Sequence, residues 1–282
     1  MLTLSRSISI KNTAKRILPA IVVDAYMWLM SKPRRQKSNS SEVSSDYVLI
    51  DLSTAQSGQF SGWCDPGVAM RQDAGYRALV QQMYAGQPRQ DLVAVAEAIS
   101  CTGLKNGVIL EVGCGSGYYC EILSYLLQQK VHYVGLDYSQ AMIRLAKDHY
   151  PDRHFVTGDG TSLPFPDRMF DIVLNGVSLM HILNYENAIA ETRRVARQWC
   201  VFHTVPVLQQ RSTTLLRKKA YGEAIVEVIF NEGEFCGLLE QNGLAVRRVL
   251  DSIPYDLSSV LDEMTKTRTY VCEVLTHCSI ST

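Results

Sequence analysis

From Gly107 onward the chain alternates between short β-rich apolar runs and stretches of helical periodicity, and no other feature narrows its fold as much. VILEV, VHYVGLD, HFVTGD, FDIVLNGV, WCVFHTVPV, LAVRRVLDSI and TYVCEVLTHC read as seven strands. YCEILSYLLQ, AMIRLAKDHY, ENAIAETRRVAR and GEFCGLLEQNG fall between them as helices. Strands joined through helices run parallel. The pattern therefore predicts an α/β fold: a doubly wound, mostly parallel seven-stranded sheet with helices on both faces. No repeat of fixed period is present, which sets solenoids and propellers aside.

Upstream, Tyr76, Leu79, Val80 and Met83 recur at helical spacing, as do Leu92, Val93, Val95, Ala96 and Ile99, with Gly86 and Pro88 between the two sets. They predict an N-terminal helical extension. With 282 residues, of which 46% are hydrophobic, the chain is long enough to bury one large core. The 28 basic residues are balanced by 28 acidic ones, so no global positive field draws the protein to nucleic acid. The eight cysteines form no C-x-x-C pair and read as the reduced thiols of a cytosolic protein. Cys272 and Cys278 fall short of the usual four ligands, so no metal site is expected.

The start of the chain is locally basic, with Asp24 the only acid before residue 40. Ile17 to Met30 is apolar but too short to span a bilayer. No small-x-small cleavage site follows it, which argues against export. Two readings stand. Residues 13–37, with Tyr26 and Trp28 flanked by Lys and Arg, form a peripheral membrane contact, or they form a helix that packs on its own domain or on a partner chain. The protein is expected in the cytoplasm, at the inner membrane face under the first reading. QKSNSSEVSSD then reads as a flexible linker.

The strongest chemical signal is VILEVGCGSGY, a buried strand that ends at Glu111 and turns through Gly113, Gly115 and Gly117 into a helix. Such a turn brings backbone close to a ligand, and the helix amides suit an anionic group. HYVGLD ends at Asp137, 20 residues beyond Gly117, a spacing that suits an acid on ribose hydroxyls. The dinucleotide pattern G-x-G-x-x-G fails, because the sixth position from Gly113 is Tyr118. Glu111 would also repel a pyrophosphate but hold the cationic end of an amino acid. An NAD-dependent oxidoreductase is thus a weak alternative; a non-catalytic cofactor-binding subunit is a second.

Four blocks, LEVGCGSGYY, GLDYSQAMIRLA, VTGDGTSLPFPDRMFDIV and EGEFCGLLEQNGLAVRRVL, resemble the class I S-adenosylmethionine-dependent methyltransferases. The resemblance is to the type 11 group in particular, the ubiquinone and menaquinone methyltransferase-like proteins. It covers about Asp91 to Cys272 and implies the Rossmann-like methyltransferase fold with S-adenosyl-L-methionine as methyl donor. It further implies that Glu111, Gly113, Cys114, Gly115, Gly117 and Tyr118 surround the methionine part and that Asp137 binds the ribose. Tyr138 and Met142 would flank the adenine, Asp159 with Gly160 and Thr161 would meet its amine, and Asn175 would lie beneath the methyl. On this view residues 1–46 are the basic segment and linker, 47–106 a helical lid, and 107–282 the cofactor-binding methyltransferase domain.

Methyl transfer needs alignment first and, for a hydroxyl or amine, a proton acceptor. His181 and His203 stand in the right regions for that base. Gly62 to Tyr76 and RKKAYGE (Arg217 to Glu223) are the expected acceptor walls. Arg71, Tyr76, Arg89 and Tyr221 offer polar contacts there, although solvated surface is the plainer reading of each. The acceptor is expected to be a small molecule, lipid or glycan, methylated on a hydroxyl. The segment beginning KRILPAIVVD resembles the leaders of methyltransferases that act on surface glycans or lipid-linked sugars. Oligomeric state is not readable from the chain.

Overall fold

The structure is a computed structural model, and it describes residues 44–57 and 60–275. The basic segment with its membrane-contact reading, and Cys278, lie outside the described residues. Among the described residues no helix is long and apolar enough to cross a membrane.

Seven strands form the expected sheet. Strands β2 (Val108–Val112), β3 (His132–Asp137), β4 (His154–Thr157), β5 (Phe170–Asn175) and β6 (Ala196–Leu208) pair in parallel in the order β4-β3-β2-β5-β6. β10 (Lys266–Val274) then lies antiparallel between β6 and β9 (Leu244–Asp251). Successive residues of the central strands serve opposite faces. Ile109, Ile172 and Val201 join a core with helices α2 (Pro66–Tyr84), α3 (Gln90–Cys101), α4 (Tyr119–Leu126) and α5 (Gln140–His149). Leu110, Val173 and Phe202 join the other core, with α6 (Tyr185–Val195) and α7 (Glu232–Gln241). That two-sided burial explains why these strands read as unbroken apolar runs rather than alternating ones.

Three further strands were not among those expected. β1 (Ser44–Ile50), β7 (Thr214–Ala220) and β8 (Glu223–Asn231) form an antiparallel set, β1-β7-β8. It joins the main sheet where the end of β6 meets β8, at Val207 with Phe230 and Leu208 with Asn231. The supposed linker therefore ends in a strand from Ser44, and the expected helical segment 47–106 opens with strand residues before its helices. Backbone pairing with β7 carries the strand back from Tyr47–Ile50 into Ser44 and Ser45, which have no apolar signal of their own. α6 passes into β6 without a glycine turn, since Ala196 is already extended. Asp171 accepts a hydrogen bond from the Val108 amide (2.9 Å) and pairs with Arg197, the role of a strand-start residue.

The glycine turn is locked from behind. Gly117 has φ +80, and a Cβ there would lie 2.6 Å from the ring of Phe155 on β4. Gly117→Ala therefore combines left-handed strain with a clash against a buried ring. It is expected to lower the unfolding free energy by about 2 kcal/mol or more in urea titrations. A loss below about 0.5 kcal/mol, the range of an innocuous surface change, would show that the turn is not held in this way.

Candidate active site

The turn after β2 is shaped by the strand beside it. The Leu136 carbonyl accepts from the amides of Gly113 (2.7 Å) and Cys114 (3.0 Å). Asp137 accepts from Gly115 N (2.9 Å) through Oδ2 and from Ser139 N (2.8 Å) through Oδ1. Burial pushes the Asp137 carboxyl up, and these two amides oppose that shift. On the other side the Ser178 hydroxyl donates to the Val112 carbonyl (2.7 Å), so closely that a Cβ on Gly113 would fall 2.2 Å from that of Ser178.

This turn borders a cavity of about 410 Å³. Of the residues assigned to the cofactor by resemblance, Gly113, Gly115, Tyr118, Asp137, Tyr138, Met142 and Gly160 line it. Leu136 and Gly158, which the sequence did not single out, line it too. Six others do not reach it. Cys114 is buried beneath the turn, where its sulfur would meet any Cβ on Gly135, and Gly117 faces Phe155. Asp159 is exposed and accepts from Thr161 N (2.8 Å), the Asx turn that its GDGT setting permits. Asn175 is fully buried and donates to the Thr192 hydroxyl (2.8 Å).

Glu111 is the largest departure. It is 1% exposed, receives a hydrogen bond from the Tyr133 hydroxyl on β3, and lies against Gly176 rather than the cavity. Desolvation pushes its carboxyl up to about 8, only partly offset by Tyr133, so the acid is protonated at neutral pH.

The two histidines part company. His203 is 1% exposed, and its Nδ1 and Nε2 meet the hydroxyls of Thr269 (2.8 Å) and Thr204 (3.0 Å). Thr204, with φ 55, sits in a β-bulge where the pairing with β10 shifts register. Thr204, not His203, faces the cavity. His203 therefore holds the bulge and has no free nitrogen for a substrate. His181, on a 3-10 turn Leu179–His181, does line the cavity. Its Nδ1 meets the Val226 carbonyl at 2.9 Å and its ring packs on Trp63 at 4.9 Å. A carbonyl only accepts, so Nδ1 carries the hydrogen and Nε2 the lone pair. Burial, then Lys218, holds the His181 pKa down to about 4, so the ring is neutral.

The far end of the cavity is built by the added strands. Lys218 on β7 and Glu227 on β8 are diagonal neighbours on one face of the hairpin and pair at 2.8 Å. The Tyr255 hydroxyl donates to the second Glu227 oxygen (2.5 Å) and lies 3.2 Å from that of Tyr47. Tyr221, Tyr76 and Arg89 line the cavity as well, so the surface reading fails for them. Tyr76 stacks on Tyr118 at 3.7 Å, and Arg89 is locked onto buried Asp91. Arg71 is outside and donates to the Tyr221 carbonyl (2.7 Å).

Residues 110–202 match the methyltransferase domain family of type 11. Residues 110–202 are thus a methyltransferase domain of this family. The chain is 40% identical over 91 residues to the phthiotriol/phenolphthiotriol dimycocerosates methyltransferase of Mycobacterium tuberculosis, covering 32% of this chain and 33% of that one. It is 31% identical over 112 residues to the demethylmenaquinone methyltransferase of Renibacterium salmoninarum, covering 40% and 45%. The chain thus matches a third to less than half of the length of these relatives. In fold it resembles the S-adenosylmethionine-dependent methyltransferase of Clostridium acetobutylicum, with TM-score 0.53 and 12% identity over 72% of this chain and 99% of that one. The methyl donor of such domains is S-adenosylmethionine.

The raised Glu111 pKa has a consequence for stability. The folded chain keeps a proton on Glu111 that the unfolded chain releases, so its contribution is full below about pH 4.5 and is lost as pH rises towards about 8. Glu111→Gln removes that loss. The variant is expected to gain on the parent by up to about 1.4 kcal/mol per pH unit across this window, read from urea midpoints at pH 5 and pH 8. Parallel curves for the two proteins would show that Glu111 is ionised in the fold.

Proposed function

We propose that this chain is an S-adenosylmethionine-dependent methyltransferase acting on a hydroxyl of a small-molecule, lipid or glycan acceptor. One observation carries the reading. A single cavity joins the Gly113 turn and Asp137 at one end to His181, Lys218 and Tyr255 at the other. Donor and acceptor can therefore share one space, the first requirement of an in-line displacement.

The donor end suits the cofactor. Gly115, where a Cβ would meet nothing nearer than 3.7 Å, leaves backbone bare at the turn, and Asp137 keeps lone pairs free for ribose hydroxyls after serving two amides. Met142 and Tyr138 offer an apolar edge and an aromatic ring to a base. When bound, S-adenosylmethionine supplies an electrophilic methyl group. The protein's own part is to align the acceptor, exclude water through Val177, Met180 and Ile182, and accept a proton at His181 Nε2. The relatives named above act on a lipid and a quinone precursor by their names, and both are consistent with an acceptor that needs apolar walls.

Calorimetric titration of the full chain tests the reading. S-adenosylmethionine and S-adenosylhomocysteine are expected to bind in the micromolar range and NAD not at all. Asp137→Ala, checked for fold by circular dichroism, is expected to weaken both by at least about tenfold, since it removes a ligand and releases Gly115. Binding of NAD in place of the other two would overturn the proposal.

A further inference from the structure

The cluster of Lys218, Glu227, Tyr255 and Tyr47 is chemically expensive. Lys218 is 7% exposed and Glu227 is 2% exposed. A buried ion pair adds little to stability compared with apolar side chains of the same size. These four side chains all border the cavity, and the hairpin that carries the pair makes one of its walls. A costly polar group on the wall of a cavity marks a place where a ligand is recognised.

The cluster's charge restricts what that ligand is. Lys218 is neutralised by Glu227 at 2.8 Å, and both tyrosines are neutral, so the group carries no net charge. A carboxylate or phosphate brought here would face Glu227 as well as Lys218. A neutral hydroxyl meets no such penalty, because it accepts from the ammonium and donates to a carboxylate or a histidine. The Lys218 ammonium gives one hydrogen bond, to Glu227, among the described residues. It otherwise lies over the rings of Tyr47 and Tyr255, at 5.7 and 5.8 Å. The same end is walled by Trp63, Tyr221, Pro206, Ile253 and Leu257, surfaces that suit a flat apolar body.

We propose that this cluster is the acceptor subsite, and that it takes a neutral ring compound bearing an acidic hydroxyl, a phenol, with the hydroxyl oxygen on Lys218. The proposal rests on the methyltransferase reading and names its substrate class. In the transfer the phenol O–H bond breaks and its proton goes to His181 Nε2. The oxygen's electron pair forms the new O–CH3 bond, and the pair of the breaking carbon–sulfur bond stays on sulfur. Lys218 stabilises the negative charge that gathers on oxygen meanwhile. The weak basicity of His181 fits a phenol, of pKa about 10, better than an aliphatic alcohol.

Equilibrium dialysis of the full chain with saturating S-adenosylhomocysteine tests this, using 2-naphthol, 2-naphthoate and 2-methoxynaphthalene as probes of one ring with three heads. The parent is expected to bind 2-naphthol at least about tenfold more tightly than either of the others. The pairwise variant Lys218→Met with Glu227→Gln leaves no lone buried charge and should lose that preference while keeping its affinity for S-adenosylhomocysteine. Tyr255→Phe, which removes one hydroxyl and no charge, should reduce the preference in part and stands in if the pairwise variant does not fold. A parent that binds 2-naphthol no better than 2-naphthoate, including no binding of either, overturns the subsite. So does a preference that survives in the folded pairwise variant or, if only the second variant folds, in full in Tyr255→Phe. Failure of the parent to bind S-adenosylhomocysteine would instead count against the methyltransferase reading itself.

Discussion

The donor half of the molecule depends on the carboxylate of Asp137. One oxygen takes the amide of Gly115 in the turn after β2, and the other takes the amide of Ser139 at the start of α5. A single side chain thus sets two loops from different strands at the same end of the sheet. The Leu136 carbonyl next to it fixes Gly113 and Cys114. Parallel strands deliver their carboxyl ends to one edge, and an acid at that edge can organise backbone and still face a ligand. Asp137 is 8% exposed, receives both amides and still borders the cavity.

Much of this was legible in the chain. Apolar runs buried on both faces gave the central strands, and helical spacing gave the helices between them. What did not show was the antiparallel set of β1, β7 and β8. In TLLRKKA the inward positions of β7 are Leu216, Lys218 and Ala220, so one buried residue in three is a lysine and the alternation is masked. Ser44 and Ser45 lack any apolar signal and are ordered by pairing with β7. Tyr255, in the segment between β9 and the short helix Ser258–Leu261, belongs to no periodic pattern at all.

Polar residues inside apolar strands were the hardest to read. Glu111, Asn175 and His203 all stand where a ligand contact is the natural inference, and none of the three lines the cavity. Glu111 and Tyr133 satisfy each other across β2 and β3, Asn175 binds Thr192, and His203 spans two threonine hydroxyls at the β6 bulge. A strand's period fixes which face a side chain takes, but not whether that face holds a neighbour or a cavity. His181, on its 3-10 turn, differs from His203 in this respect. A carbonyl occupies one of its nitrogens and leaves the other to the cavity.

The match to the methyltransferase domain family ends at residue 202, just before His203 and the Thr204 bulge. The donor end, with Gly113, Gly115 and Asp137, lies inside that span. The proposed acceptor end lies almost entirely outside it: Tyr47 and Trp63 come from before the span, and Lys218, Glu227 and Tyr255 from after it, while His181 comes from within. The bulge links the two halves. With its left-handed Thr204 it lies beyond the β5 pairing of β6, after which the strand's end runs on to meet β8. A fold of this kind keeps donor chemistry in the sheet and sets acceptor choice in what is attached to it. Relatives that share only the matched span can therefore share the donor and differ in the acceptor, and the proposed acceptor subsite of this chain lies on a hairpin outside that span.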